Sequence, residues 1–319
     1  MLKKLQGLYY NLAFRFRNRF YPSDISDNFG RKTYAGHPYY SIDAASDLLV
    51  EKITEGKPFM AARFGSVELF AMRTAEFHWK SKEEKIIAQM CTNAGFFTQD
   101  ASLLPRFNEV YVDACKQLDV IGVWYQQAEE YFIKRYAKDL TGSCWLGSLE
   151  PWYGKEPWTR ALAGKKVLVI HPFEDSIHAQ LEHRDKLFPD SQTLPEATYL
   201  TLKAVQTSGG QTDERFATWF EALEYMKGEI ARIEKEEGFD LALIGCGAYG
   251  FPLAAYCKSL GKQAIHIGGA LQLFFGIKGR RWDELEPNIV KMYNEYWNYP
   301  LDSETPKNSA AVEGGTYWK

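Results

Sequence analysis

The sequence has no excess of positive charge, no Cys-x-x-Cys pair, no long apolar run and, before Asp24, no acidic residue. With 38 basic and 41 acidic residues in 319, the net charge of −3 lacks the basic footprint of a general nucleic-acid binder, so no nucleic-acid partner is expected. Cys91, Cys115, Cys144, Cys246 and Cys257 form an odd set without disulfide-framework or zinc-ribbon spacing, which makes the cytoplasm the default compartment. No stretch reaches the roughly 18 uninterrupted apolar residues of a membrane-spanning helix. Glycine (25) and proline (13) are too few for a low-complexity chain. Walker A, HExxH and GxSxG motifs and a Ser/His/Asp order are missing, which argues against P-loop kinases, proteases and α/β-hydrolases.

What is present begins with aromatics: 9 Trp, 19 Tyr and 20 Phe, enough to fill a core and also to stack on flat ligands. Residues 1–21 carry Lys3, Lys4, Arg15, Arg17 and Arg19, with Leu2, Leu5, Leu8, Tyr9, Leu12, Phe16 and Phe20 between them at near-helical spacing. A signal peptide would need an unbroken apolar run and a small-residue cleavage site. The pattern fits a basic amphipathic helix lying on an anionic inner-membrane face, or one packed on its own domain or a partner subunit.

After the polar, aromatic stretch Pro22–Tyr40, Ser41 reads as the N-cap of a helix over Ile42–Glu55 that Gly56 stops. Strands are expected at Pro58–Arg63, Val120–Trp124, Lys166–Ile170, Thr198–Ala204, Asp240–Ile244 and Gln263–Ile267. Helices are expected at Ser66–His78, Lys82–Asn93, from Pro105, Gln126–Lys138, from Ser176 to Phe188, Trp219–Glu237 and Gly247–Leu260. Strands alternating with helices predict a Rossmann-like α/β fold with a mostly parallel sheet flanked by helices. Residues 1–40 read as the basic amphipathic segment, 41–297 as one elaborated α/β domain and 298–319 as a polar tail.

Ligands of open parallel sheets bind outside the carboxyl ends of the strands, so the residues after each strand are the candidates. Gly245-Cys246-Gly247-Ala248-Tyr249-Gly250 matches GxGxxG between a strand and a helix. It reads as a phosphate cradle or as tight helix–strand packing. The next strand ends in His266-Ile267-Gly268-Gly269 in place of an acidic ribose partner, which disfavours NAD or S-adenosylmethionine and with them a Rossmann-type methyltransferase or oxidoreductase. In Arg63-Phe64-Gly65-Ser66-Val67-Glu68, the arginine suits a phosphate or carboxylate. Glu68, in the first helical turn, is a base, metal ligand or hydroxyl acceptor, or one half of a capping box. His171 with Glu174 and Asp175 reads as an acid/base or metal cluster, or as a satisfied His beside an N-cap at Asp175 or Ser176. Gln272, Lys278, Arg280 and Arg281 lie in a glycine-bearing loop with Trp282, which suits an anionic ligand or is a solvated basic loop.

These residues resemble the bacterial GT-D-fold glycosyltransferases: a strand ending in Arg63-Phe64-Gly65 with Glu68 three residues on, then Phe239–Ala254 and Gly261–Gly269. The resemblance implies sugar transfer from a nucleotide-sugar donor in surface-polysaccharide or glycoprotein assembly. The acceptor is expected to be a glycan or lipid-linked glycan, the basic N-terminal helix suiting a lipid-linked one, with the protein cytoplasmic or peripheral at the inner membrane. The family carries Asp-x-Glu with Mn²⁺ or Mg²⁺ where this chain has Ser66-Val67-Glu68, so only the Glu carries over. That leaves a metal-independent transferase, with Lys278, Arg280 and Arg281 neutralising the leaving diphosphate, or a non-catalytic binding or scaffold relative. The donor is expected against Gly245, Gly247–Gly250, His266, Gly268, Gly269, Gln272 and the basic loop, with Arg63 on phosphate or acceptor.

Overall fold

Apolar runs in parallel strands are continuous when both sheet faces are covered, and the alternation then sorts residues between two cores. That is the pattern of the central strands. In β3 (Phe59–Arg63), Met60 and Ala62 join one buried cluster and Phe59 and Ala61 the other. In β6 (Lys166–His171), Leu168 and Ile170 face the first cluster and Val167 and Val169 the second. The computed structural model describes residues 2–20, 32–97 and 99–319; the start of the Pro22–Tyr40 stretch, through residue 31, lies outside the described residues, as do the side chains of 2, 4 and 15–20.

Among the described residues nine strands form one sheet, in the order β1-β2-β5-β4-β3-β9-β8-β6-β7. The others are β1 (Thr33–Tyr34), β2 (His37–Tyr40), β4 (Val120–Val123), β5 (Gly142–Trp145), β7 (Thr198–Lys203), β8 (Leu241–Ile244) and β9 (Gln263–His266). All pairings are parallel except β1–β2. The fold is therefore the expected Rossmann-like α/β class. From β3 the chain moves outward to β4 and β5, whereas β9 closes the opposite half, so the two halves meet at β3–β9. An open parallel sheet binds ligands at such a reversal.

The helices include α1 (Leu2–Phe20), α2 (Ile42–Glu55), α3 (Ser66–Glu76), α4 (Glu83–Asn93), α5 (Leu104–Cys115), α6 (Glu129–Tyr136), α7 (Glu174–Leu181), α8 (Arg184–Leu187), α9 (Trp219–Glu236) and α10 (Gly250–Ser259), with shorter ones at Leu271–Phe274, Arg280–Leu285 and Pro287–Val290. Ser41 caps α2, its Oγ accepting from the Ala44 N–H at 3.3 Å, and Gly56 ends it at φ +69°. α6 starts three residues later than the pattern predicts because Tyr125 and Ala128 take left-handed φ values of +59° and +69°. The buried Glu129 carboxylate holds that loop by accepting from the N–H groups of Trp124 (3.5 Å) and Gln126 (3.2 Å) and from the Tyr34 hydroxyl (3.2 Å). One continuous helix to Phe188 is replaced by α7 and α8.

The segment 298–319, expected as a polar tail, packs into the fold. Val312 and Trp318 are buried in the second core, and Glu304 is only 3% exposed. The Glu304 carboxylate accepts from the N–H groups of Asp175 (2.8 Å) and Ser176 (3.2 Å) and from the Ser176 hydroxyl. Neither Asp175 nor Ser176 is therefore the N-cap of α7; a carboxylate 128 residues away satisfies those donors.

Candidate functional site

Phe64 is buried and stacks on Phe251 of α10 at 4.7 Å, so the neighbouring Arg63 leaves the end of β3 on the other side, into a cleft. The carboxyl ends of β3, β6, β8 and β9 converge on this cleft, which Arg63, Glu68, His171, Gly245, Gly247, Tyr249, His266, Gly268, Gly269, Gln272 and Arg281 line. The structure thus gathers eleven of the residues singled out from sequence.

Among the described residues no carboxylate lies within ion-pair distance of Arg63, and its buried Nε has no hydrogen-bond partner. Its guanidinium sits 5.3 Å from the Trp124 ring centre, a cation–π contact. Gly268, at φ +76°, leaves room for it: a Cβ there would stand 2.8 Å from the Arg63 Nε. Two further buried polar atoms at the cleft lack partners, the indole Nε1 of Trp124 and the Oε1 of Gln272. The other end of Gln272 is satisfied, its amide donating to the carbonyls of Ile277, Lys278 and Tyr317. Buried unsatisfied polar groups are costly, and three around one cleft ask for a ligand.

Glu68 is 8% exposed, and burial raises its carboxyl above the ordinary range against the opposing pull of its own backbone N–H and of Arg63. Its carboxylate lies directly on Gly65, where any Cβ would collide with it. The two histidines are neutral with opposite tautomers. His171 Nδ1 accepts from the Phe173 N–H (3.0 Å), which leaves the proton on Nε2; His266 Nδ1 donates to the Ile244 carbonyl (3.1 Å), which leaves Nε2 as an acceptor. Burial pushes both down to about 3, so His171 is a neutral donor near pH 7 rather than an acid/base group.

Other expectations are corrected. Asp175 is exposed and paired with Lys203 at 2.8 Å, away from the cleft. Arg280 is exposed on Glu284 at 2.7 Å, and the Lys278 ammonium lies 5.3 Å and 5.5 Å from the rings of Tyr293 and Tyr299. Of the three loop cations only Arg281 lines the cleft. The GxGxxG segment is largely packing. The Ala248 N–H is spent on the Ala94 carbonyl (3.0 Å), and Gly250 is buried where a side chain would strike the His266 ring. Gly250→Ala is accordingly expected to cost about 2–4 kcal/mol, read as a Tm lower by roughly 5–10 °C, by overpacking and by prising His266 from Ile244. An unchanged Tm in thermal denaturation would refute that assignment.

The sequence reading missed Trp124, the loop Gln206–Ser208, and Glu313, Tyr317 and Trp318 of the C-terminal segment. Trp124 directly follows β4, so the strand-end rule would have found it. Glu150 is not among the cleft-lining residues, but it feels the same cations: burial pushes its carboxyl up to about 7 against the pull of Arg63 and Arg281. Among the described residues no three His, Cys, Asp or Glu side chains converge to hold a metal ion by themselves, and Arg63 acts on the Glu68 carboxyl.

No protein-family model matches the chain, and no curated protein matches its sequence. Two solved structures are similar to it: one described as the highly conserved domain of unknown function 1792 with a distinct glycosyltransferase fold, the other its selenomethionine-substituted form. Each is 12% identical, with 85% of this chain and 93% of that chain covered and a TM-score of 0.43.

Proposed function

We propose that the protein transfers a sugar from a nucleotide-sugar donor to a glycan or lipid-linked glycan acceptor in surface-polysaccharide assembly. The observation that carries the reading is Arg63: a half-buried guanidinium with an unpartnered Nε, at the switch point of a parallel sheet, with the buried carboxyl of Glu68 beside it. An anionic group pairs with the first and a hydroxyl with the second, and a sugar diphosphate offers both. Arg281, the Trp124 indole N–H and His171 Nε2–H supply further donors; Gln272 Oε1 and His266 Nε2 supply acceptors.

In the transfer, the acceptor hydroxyl oxygen bonds to the anomeric carbon and its proton passes to a Glu68 oxygen. The bond from that carbon to the diphosphate breaks, with its electron pair leaving on the diphosphate. Arg63 and Arg281 offset the charge that develops there. The diphosphate is assigned to these arginines, since the α10 start has its Ala248 N–H already bonded and Gly250 buried.

The test is a melting-shift screen of UDP-, GDP-, dTDP- and CMP-sugars, with and without Mn²⁺, with NAD and S-adenosylmethionine alongside. A ligand at about 100 times its Kd adds roughly 2.7 kcal/mol of stability. A shift with one nucleotide-sugar, followed by its turnover, is the expected result. A shift only with NAD or S-adenosylmethionine overturns the reading. A donor that binds and is never hydrolysed or transferred leaves a binding protein in its place.

A further inference from the structure

The cleft makes no use of the N-terminal helix. One stripe of α1 seats it on the domain: Lys3 Nζ lies 3.3 Å from the buried Glu76 carboxylate, Gly7 lies against the Phe77 ring, and Tyr10 meets Tyr131 edge-on at 5.1 Å. The spacing is i, i+4, i+7, which is one helix face. Glu76 is itself fixed by the hydroxyls of Tyr131 (2.8 Å) and Tyr136 (3.1 Å) and by the Asn108 amide (3.2 Å).

A second stripe, half a turn away, has the same periodicity and stays largely exposed, Tyr9 touching the edge of the Tyr10 ring on its own helix at 5.3 Å. Leu5, Leu8, Tyr9 and Leu12 are 57%, 54%, 65% and 58% exposed, whereas large apolar side chains elsewhere in the described chain are exposed only singly. Among the described residues no helix is long and apolar enough to cross a membrane.

We infer that α1 lies flat in the interface of an anionic bilayer, its leucine stripe among the acyl chains, and is tied to the domain by Lys3, Gly7 and Tyr10. Charge selects this occupant. Residues 1–21 hold five cations and no acid, while all 41 acidic residues and only 33 of the 38 basic ones lie beyond them; Lys3 is spent on Glu76, which leaves Lys4, Arg15, Arg17 and Arg19 for a lipid surface. The helix is the basic pole of a net-acidic molecule. A second copy seated on the same stripe would bring two such acid-free helices together. An anionic lipid surface neutralises them, with about a five-fold gain in partition for each Lys or Arg near it. The inference stands independently of the chemistry of the cleft.

The test is co-sedimentation of the full-length protein with phosphatidylcholine vesicles, with and without about 40% phosphatidylglycerol, at low and high salt. Wild type is expected to pellet with the anionic vesicles at least about ten-fold better than with neutral ones, and less so as salt rises. The double variant Leu8→Glu/Leu12→Glu should lose at least about ten-fold in partition with an unchanged Tm, because both positions face solvent. Arg15→Gln/Arg17→Gln/Arg19→Gln should weaken binding and its salt dependence together. The inference fails if wild type stays in the supernatant with anionic vesicles or if both variants pellet as wild type does. It fails equally if light scattering shows a dimer that Leu8→Glu/Leu12→Glu splits and no vesicle binding is seen, since the stripe then covers a second copy.

Discussion

Arg63→Gln is expected to bind the nucleotide-sugar at least about 30-fold more weakly than wild type while melting no lower. The two halves of this result have one cause. A guanidinium withdrawn from water pairs with phosphate through short, charge-assisted hydrogen bonds, and truncating one partner of such a desolvated pair costs about 2–5 kcal/mol. Without ligand, the same guanidinium is a liability: its Nε has no acceptor and no carboxylate stands within ion-pair distance among the described residues. Glutamine removes a half-buried cation that has no carboxylate in ion-pair contact, at the loss of its weaker pull on Glu68 and Glu150 and of one cation–π contact over Trp124, worth about 0.5–1 kcal/mol at a partly exposed site. Calorimetric titration with the donor from the melting screen, beside the Tm of each protein, measures both halves. Arg280→Gln is the control, because Arg280 spends its charge on exposed Glu284. Equal affinity of Arg63→Gln and wild type would take the phosphate off Arg63 and sink the assignment of the cleft.

Much of the sheet was legible because parallel strands covered on both faces read as continuous apolar runs, as β3, β6 and β8 do. β5 was not legible, because Gly142 and Ser143 break the run. It is a strand because β2 and β4 pair with it on either side and because the Ser143 hydroxyl finds the Pro38 carbonyl at 2.9 Å. The same limit governs the basic loop. Arg280 and Arg281 are neighbours in sequence but about 100° apart around the helix Arg280–Leu285, so one turns to Glu284 at i+4 and the other to the cleft. Composition shows the cations and not their directions. GxGxxG misleads for a related reason: small residues serve a phosphate or a close neighbour equally, and here the His266 ring takes the space at Gly250. The C-terminal segment read as a tail because its anchors, Glu304 on α7 and Trp318 in the second core, are contacts with distant residues that leave no local pattern.

Glu68→Gln is expected to lower turnover by about 10²–10⁴-fold, the range of a lost general base, with donor affinity within a few-fold of wild type. The pH dependence distinguishes that role from a helix cap. A carboxylate that only caps α3 would be stabilised as the anion by the first-turn N–H groups, its pKa would fall, and it would add stability as pH rises. Burial acts the other way on Glu68 and raises its carboxyl. The folded protein then holds the proton to higher pH than the unfolded chain does. Glu68 contributes its stability fully below the unfolded pKa, and that contribution is lost as pH rises through the folded value. The Tm of Glu68→Gln relative to wild type should therefore climb with pH over that window. Turnover by wild type, which needs the carboxylate, should rise over the same window, and turnover by Glu68→Gln should stay flat. Activity gained where stability is lost, both traced to one residue, marks a carboxylate kept out of water for its chemistry. A Tm difference that falls with pH would return Glu68 to the helix cap and leave the cleft without its base.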